Sequence, residues 1–109
     1  GLSNTYGENR SIQIQPTFVN NFKPQIKVNG NFLNNEIVTV RIRIEYVDNV
    51  ISNPVVRTFT SSGSTWLNDE EMMILYPSQS IIWAVIVDAK SSASSSHTTV
   101  SVSGYGTIG

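Results

Sequence analysis

Side chains that could carry out catalytic chemistry are few in this chain. His97 is the single histidine and follows a run of serines, so a Ser-His-Asp arrangement with Asp88 can be imagined. However, no nucleophile-elbow motif accompanies the serines, and nothing in the sequence orients the imidazole. The chain has no cysteine, which excludes a thiolate nucleophile, a disulfide and a thiolate zinc site. We therefore interpret His97 and the serines as solvated loop residues and predict a protein without enzymatic activity or a cofactor.

Three consecutive acidic residues, Asp69, Glu70 and Glu71, are the other candidates for chemistry. Together with Asp48 or Asp88 they could bind calcium, but a hard cation needs several oxygens that converge on one point. Neighbouring residues of a helix point in different directions, and a glycosidase would need two carboxylates across a cleft. The three acids instead suit the first turn of a helix, where the helix dipole stabilises negative charge. We therefore predict no metal site.

The basic side chains do not form a nucleic-acid-binding pattern. Arg41, Arg43 and Arg57 could line one solvent face of two neighbouring strands, but the chain has only seven Lys and Arg residues and a net charge of -1. A surface for nucleic acid or an acidic membrane requires a stronger positive charge. We interpret these arginines as a solvated face partnered by Glu45. No apolar run approaches the roughly 20 residues of a membrane span, so we predict no membrane insertion.

Three aromatic residues outside the strongest strand patterns are candidate ligand contacts, namely Trp66, Tyr76 and Tyr105. Exposed aromatic rings can stack on sugar rings, and together with His97 these residues are the set that could contact a carbohydrate. In the alternative interpretation, Trp66 and Tyr76 close one end of the core and Tyr105 packs on the last strand, because large aromatic side chains bury much apolar surface. The sequence leaves both interpretations open.

The elements that position these residues are organised around residues 79–89, the longest nearly unbroken apolar run. Apolar residues occupy its odd positions, such as Trp83, and its even positions, such as Ile82. This pattern is typical of a strand covered on both faces, and the content of Ile, Val and Trp favours a strand over a helix. We predict a central strand in which Trp83 is buried beside Val40, Ile42, Val85 and Val100.

Alternation of apolar and polar residues predicts further strands around this run. The clearest alternation covers residues 37–47, and weaker patterns occur at residues 11–18, 25–32, 55–60 and 98–103. A short helix is predicted within residues 66–76, because Asn68 and Glu71 have the spacing of a capping box and Pro77 ends the segment. Loops are predicted at residues 61–64 and 90–97.

The two ends of the chain carry no clear pattern. Residues 1–10 are predicted to be a flexible tail or linker before a single domain of residues 11–109, and residues 104–109 a glycine-rich linker or tail. Asn9-Arg10-Ser11 matches the N-glycosylation pattern. Pro16 cannot donate a ladder hydrogen bond, which places residues 11–18 at a sheet edge. We predict a protein partner or self-association through this edge or the tails, since an uncharged edge suits strand addition.

A series of spaced apolar residues leads into and along the central strand and consists of Leu75, Pro77, Ile81, Trp83, Val85 and Val87. This series resembles the corresponding part of fibronectin type III domains and, more broadly, of immunoglobulin-like sandwiches. The resemblance implies a seven-stranded sandwich that serves mostly as an adhesive or spacer module. This chain departs from the family pattern at Ile81, where the family has a tyrosine.

The spacing of strands and turns predicts an all-β, immunoglobulin-like or fibronectin III-like antiparallel β-sandwich of about seven strands with one short helical turn. Charged residues make up only 14% of the chain, and the abundance of Ser, Thr and Asn suits an extracellular or cell- or particle-surface protein. The first functional hypothesis is a structural or adhesive interaction module, such as a tandem domain, an appendage subunit or a viral surface protein. The second is a carbohydrate-binding module that uses exposed aromatic residues.

Overall fold

Two antiparallel four-stranded sheets enclose a single apolar core. The structure, a computed structural model, describes residues 1–7, 10–13, 23, 25–32, 35–94, 97–102 and 106–109. Its elements in chain order are β1 (Arg10–Gln13), β2 (Lys27–Asn31), β3 (Val38–Tyr46), β4 (Val55–Phe59), β5 (Gly63–Trp66), α1 (Asp69–Leu75), β6 (Ile82–Ser91), β7 (Thr99–Val102) and β8 (Gly106–Ile108).

The order of the strands defines sheet I as β1-β6-β3-β4 and sheet II as β5-β2-β7-β8, and neighbouring strands are antiparallel. The predicted all-β antiparallel sandwich with one short helix is therefore confirmed. The described residues form eight strands, because β8 lies in the end predicted as a linker or tail and β5 includes part of a predicted loop. β1 (Arg10–Gln13) is the last strand of sheet I among the described residues, whereas residues 14–18 of the predicted edge strand, including Pro16, lie outside them.

The longest strands, β3 and β6, are the centre of sheet I and carry much of the core. Alternate residues of β3 are buried from Val38 to Tyr46, as its apolar–polar alternation predicts. Inward side chains of both sheets meet in one cluster, so burial of apolar surface joins the two layers. The core includes Ile26, Val28, Val38, Val40, Ile42, Ile44, Val85, Val87, Ala89, Val100 and Val102.

The prediction that Trp83 is buried is wrong, because a bulge interrupts the alternation of β6. Glu45 pairs with Ala84 and Tyr46 pairs with Ile82, which leaves Trp83 as an extra residue without a partner in β3. An extra residue in one strand shifts the facing of the residues beyond it. Ile82 is consequently buried, whereas the Trp83 side chain is 47% exposed.

Helix α1 begins with the predicted capping box and closes the sandwich beside β4. The Asn68 side chain accepts a hydrogen bond from the Glu71 N–H at 2.8 Å, and the Glu71 carboxylate accepts one from the Asn68 N–H at 2.9 Å. Arg57 of β4 donates two further hydrogen bonds to Glu71, at 2.6 and 2.5 Å. Leu75 is the buried residue of the helix. Within the described residues, no helix is long and apolar enough to cross a membrane.

The N-terminal residues contact the ends of both sheets. Leu2 is 2% exposed and belongs to the core cluster. The Ser91 N–H donates to the Ser3 carbonyl at 2.8 Å, and the Gly1 nitrogen lies 2.5 Å from the Gly109 carbonyl oxygen. The flexible tail predicted for residues 1–10 stays a prediction. Leu2 within it is buried, which the sequence pattern did not indicate because its neighbours are polar.

Candidate functional site

The surface of sheet I that points away from sheet II combines exposed apolar and charged side chains. Directly opposed residues of neighbouring strands project from the same face of a sheet, so the register groups Thr39, Arg41, Glu45, Ile51, Val56, Asp88 and Lys90. Ile37, Arg43 and Val47 continue the alternation of β3, and Trp83 lines a concavity with Glu45 and Val47. We call it the outer face of sheet I and define it by Ile37, Thr39, Arg41, Arg43, Glu45, Val47, Ile51, Val56, Trp83, Asp88 and Lys90. Five of these, namely Ile37, Val47, Ile51, Val56 and Trp83, are large apolar residues and each is about half exposed.

A buried carboxylate lies at the centre of this face. Asp88 is only 1% exposed, and its Oδ2 accepts hydrogen bonds from Arg41 Nε at 2.8 Å and Nη2 at 2.5 Å. Arg43 Nη2 is 3.3 Å from the same oxygen. The pairing arises because Arg41 lies directly opposite Asp88 in the ladder between β3 and β6. Asp88 Oδ1 and Arg43 Nε are buried and have no hydrogen-bond partner among the residues that the structure describes.

Near one end of the outer face, Tyr6 lies between two cationic side chains. Arg41 Cζ is 4.3 Å and Lys90 Nζ is 4.7 Å from the centroid of its ring, which are cation–π distances. A concavity of about 370 Å³ lies beside Lys90 and is also lined by Asn4, Ile37, Thr39, Ser91 and Ser92. Because Arg41, Arg43 and Lys90 outnumber the single carboxylate of Asp88, this end is cationic on a chain of net charge -1.

The opposite end of the outer face is apolar and contains Trp83. A shallow concavity of about 260 Å³ is lined by Glu45, Tyr46, Val47, Asn49 and Trp83. The bulge in β6 produces this arrangement, because it turns the indole out of the core. Exposed tryptophan and arginine side chains are frequent at the energetic centres of protein interfaces. The sequence did not indicate this apolar end, because strict alternation along β6 predicts that Trp83 points into the core.

Trp66, a predicted ligand contact, lies on the outer face of sheet II. It is 56% exposed and does not close the core. Trp66 pairs with Lys27, whose Nζ lies 5.5 Å from the centroid of the indole ring. Asn29 pairs with Ser64 on one side and with Ser101 on the other, so short polar side chains share this face with Trp66. This surface could stack on and hydrogen-bond a sugar.

Tyr76, another predicted ligand contact, lies beside Lys23 and Tyr46 instead of beside Trp66. Tyr76 is partly buried, and the ammonium group of Lys23 lies 5.9 Å from its ring and 5.0 Å from that of Tyr46. Burial lowers the pKa of Lys23, whose Nζ also donates to the Ser80 carbonyl at 2.7 Å. His97 is exposed between β6 and β7. Tyr105 and Asn9 lie outside the described residues.

The residues considered for a catalytic triad or a metal site are separated by the fold. Asp88 lies among arginines on the outer face of sheet I, while Glu71 serves the helix cap and pairs with Arg57. Asp69 and Glu70 are exposed on α1. In the described part of the chain, no group of three or more His, Asp or Glu side chains could hold a metal ion.

Glu36 is a second buried carboxylate, and no pattern in the sequence indicated its burial. It is 4% exposed, and the hydroxyl groups of Ser91 and Thr98 donate hydrogen bonds to its two oxygens. Ser92 accepts a hydrogen bond from the Ile37 N–H at 2.9 Å. These bonds tie the end of β6 and the start of β7 to the segment before β3, which gives Glu36 a structural role where the serine loop begins.

Comparison with known proteins gives no relative for this chain. No family model, no curated protein and no solved structure matches it. The function must therefore be inferred from the two outer faces of the sandwich.

Proposed function

We propose that this chain is a non-catalytic interaction module of an extracellular surface or particle, and that the outer face of sheet I binds a protein partner. The observation that supports this proposal is the set of five half-exposed apolar side chains around a charged centre on one face. Single exposed apolar residues are ordinary, but several on one face together with tryptophan and arginine are typical of interaction surfaces.

The composition of the face suits a protein partner better than a small molecule. Its two concavities are open and shallow, and its apolar residues are spread along the strands instead of lining one deep pocket. Trp83 supplies a large rigid side chain at one end, while Arg41 and Lys90 supply charge at the other. Such a division into apolar anchors and charged surroundings can give both affinity and orientation.

Association through the edge strand β1 is a second route within the same proposal. β1 is the last strand of sheet I and pairs with residues 84–87 of β6. A strand at the end of a sheet offers backbone groups to another chain. Removal of residues 1–10 would also remove Leu2 from the core, so substitutions on the outer face separate binding from folding more cleanly than truncation does.

The proposal is tested by comparing the two tryptophans, which lie on opposite faces. The purified wild-type protein and its Trp83→Ser and Trp66→Ser variants are immobilised and exposed to a surface extract of the source cells. Proteins captured by the wild type should be retained by Trp66→Ser and lost from Trp83→Ser. Loss of the same proteins from Trp66→Ser, with retention by Trp83→Ser, would contradict binding through sheet I. Unfolding curves of both variants control for folding.

A carbohydrate-binding function is the second candidate and is favoured by one observation, the exposed indole of Trp66 among polar side chains on sheet II. If it is correct, neutral oligosaccharides should change the fluorescence of the protein, and Trp66→Ala should abolish the change. Trp83→Ala is the matched control and should leave the change intact. A glycan array without any bound sugar would remove this candidate and leave the protein-binding proposal standing.

A further inference from the structure

The solvent-facing side of helix α1 carries two acidic and two apolar residues. Asp69 and Glu70 are exposed, as are Met73 at 76% and Ile74 at 44%. Positions four apart are neighbours on a helix, so Asp69 lies beside Met73 and Glu70 lies beside Ile74. Leu75 is buried on the other side of the helix. The core therefore does not explain why Met73 and Ile74 are apolar.

The cationic half of the sheet I outer face has the complementary composition. We define this half by Ile37, Thr39, Arg41, Val56, Asp88 and Lys90, with the Tyr6 ring packed against Arg41 and Lys90. Ile37 and Val56 are half exposed, and the concavity of about 370 Å³ lies between Ile37 and Lys90. Asp88 pairs with Arg41 on this half, so Lys90 supplies its excess positive charge, which complements the two acidic side chains of α1. Ile37 and Val56 correspond to the two apolar side chains of α1.

The two surfaces also agree in size. A helix of seven residues is about 10 Å long. The distance from β6 across β3 to β4 is likewise about 10 Å, since neighbouring strands are about 4.8 Å apart. One helix therefore covers the cationic half without reaching Trp83 at the other end of the face.

We propose that helix α1 of a second copy of this chain docks on the cationic half of the sheet I outer face. Asp69 and Glu70 of one copy then face Arg41 and Lys90 of the next, while Met73 enters the concavity beside Ile37. The donor and acceptor surfaces are different, so each copy can engage two others. Such a head-to-tail contact generates rings or open filaments. This inference rests on the proposed function, because it names a partner for the same face.

Charge reversal provides the test, by sedimentation of the full chain over a concentration series at low ionic strength. The wild type should associate, and added salt should weaken the association. Glu70→Lys and Lys90→Glu should each lower the association constant about tenfold or more, because like charges then face each other. An equimolar mixture of the two variants should recover the association, since each variant supplies a partner surface of opposite charge to the other.

Lys27→Glu is the matched control, because it gives the chain the same net charge as Lys90→Glu but lies on sheet II. It should associate as the wild type does. A monomeric wild type at all concentrations would overturn the inference. So would equal weakening by Lys27→Glu, or no recovery in the mixture of two folded variants. Capture of another protein that depends on Trp83 would still support the proposed function, so the two failures can be distinguished.

Discussion

At the scale of single residues, Tyr46 connects the central sheet to the helix. Its buried hydroxyl donates a hydrogen bond to the Leu75 carbonyl at 2.8 Å. Burial, with a smaller contribution from Asp48, raises the pKa of Tyr46 to about 12, although the Ser78 N–H counteracts this shift. The folded state therefore holds the phenol proton more tightly than the unfolded state does.

We expect Tyr46→Phe to lower the free energy of unfolding by about 1–3 kcal/mol at neutral pH, because the Leu75 carbonyl loses its partner. The stability that neutral Tyr46 contributes is fully present below its unfolded pKa of 10.0 and is lost as the pH rises toward about 12. Urea unfolding across this range should show a smaller decline for the variant. An equal decline in both proteins would contradict the raised pKa.

Glu71 is the residue that joins the helix cap to sheet I. Burial by itself would raise its pKa, but hydrogen bonds from Arg57 and from the Asn68 N–H outweigh burial and hold the pKa below 4.5. A depressed pKa means that Glu71 contributes stability above the ordinary carboxyl range, and that this contribution is lost as the pH falls through the folded-state value.

Glu71→Gln should therefore cost about 1 kcal/mol at neutral pH, since the ion pair is partly exposed and the amide retains part of the cap. The difference from the wild type should shrink below pH 4.5, where the wild-type carboxylate becomes protonated. Thermal unfolding at neutral and acidic pH measures both effects. Glu70→Gln, on the solvent side of the helix, is the control and should show neither.

At the scale of elements, the bulge in β6 exposes Trp83 on the outer face of sheet I. The strand itself could be predicted, because its apolar run is long and ends at Pro77 and the serines. The direction in which the side chains before Ala84 point could not be predicted, because a bulge depends on how the strand pairs with its partner and not on its own residues. Trp83 on the surface is the consequence.

We expect Trp83→Ala to lower the free energy of unfolding by about 1–2 kcal/mol, because the indole is half exposed and leaves little cavity. Ile42→Ala, at a fully buried position of β3, should cost about 2–5 kcal/mol. Chemical denaturation of the two variants gives the comparison. A cost of several kcal/mol for Trp83→Ala would return this residue to the core and contradict the bulge.

Several contacts of the site depend on residues far apart in the chain, which explains why local patterns did not reveal them. The alternation of β3 predicted that Arg41 and Arg43 face away from the core, but their partner was expected to be Glu45. Asp88 is instead the partner of both arginines, because the register places it opposite Arg41. The capping box of α1 was predictable, since Asn68 and Glu71 are three residues apart. The pairing of Glu71 with Arg57 could not be predicted, because it requires the packing of the helix against β4.

At the scale of the whole molecule, Leu2 joins the N-terminal residues to the core. We expect Leu2→Ala to lower the free energy of unfolding by about 2–5 kcal/mol, because Leu2 is 2% exposed within the core cluster. Asn4→Ala, at an exposed position nearby, is the control and should have little effect. If Leu2→Ala behaves as Asn4→Ala does in urea unfolding, the segment is a flexible tail as the sequence predicts.

The two faces of the sandwich offer different chemistry to their surroundings. Sheet I presents apolar and charged residues with Trp83, whereas sheet II presents short polar residues with Trp66 and Lys27. The chain has two tryptophans, one on each face, so each face contains its own reporter of contact. Binding through either sheet can therefore be distinguished within one molecule.

Hydroxyl-radical footprinting of the protein with a captured partner bound, compared with the purified chain, tests the proposed binding through the outer face of sheet I. We expect the oxidation rates of Trp83, Val47 and Ile51 to decrease in the complex, while the oxidation rate of Trp66 stays unchanged. Protection of Trp66 with full oxidation of Trp83 would contradict binding through sheet I and assign it to sheet II.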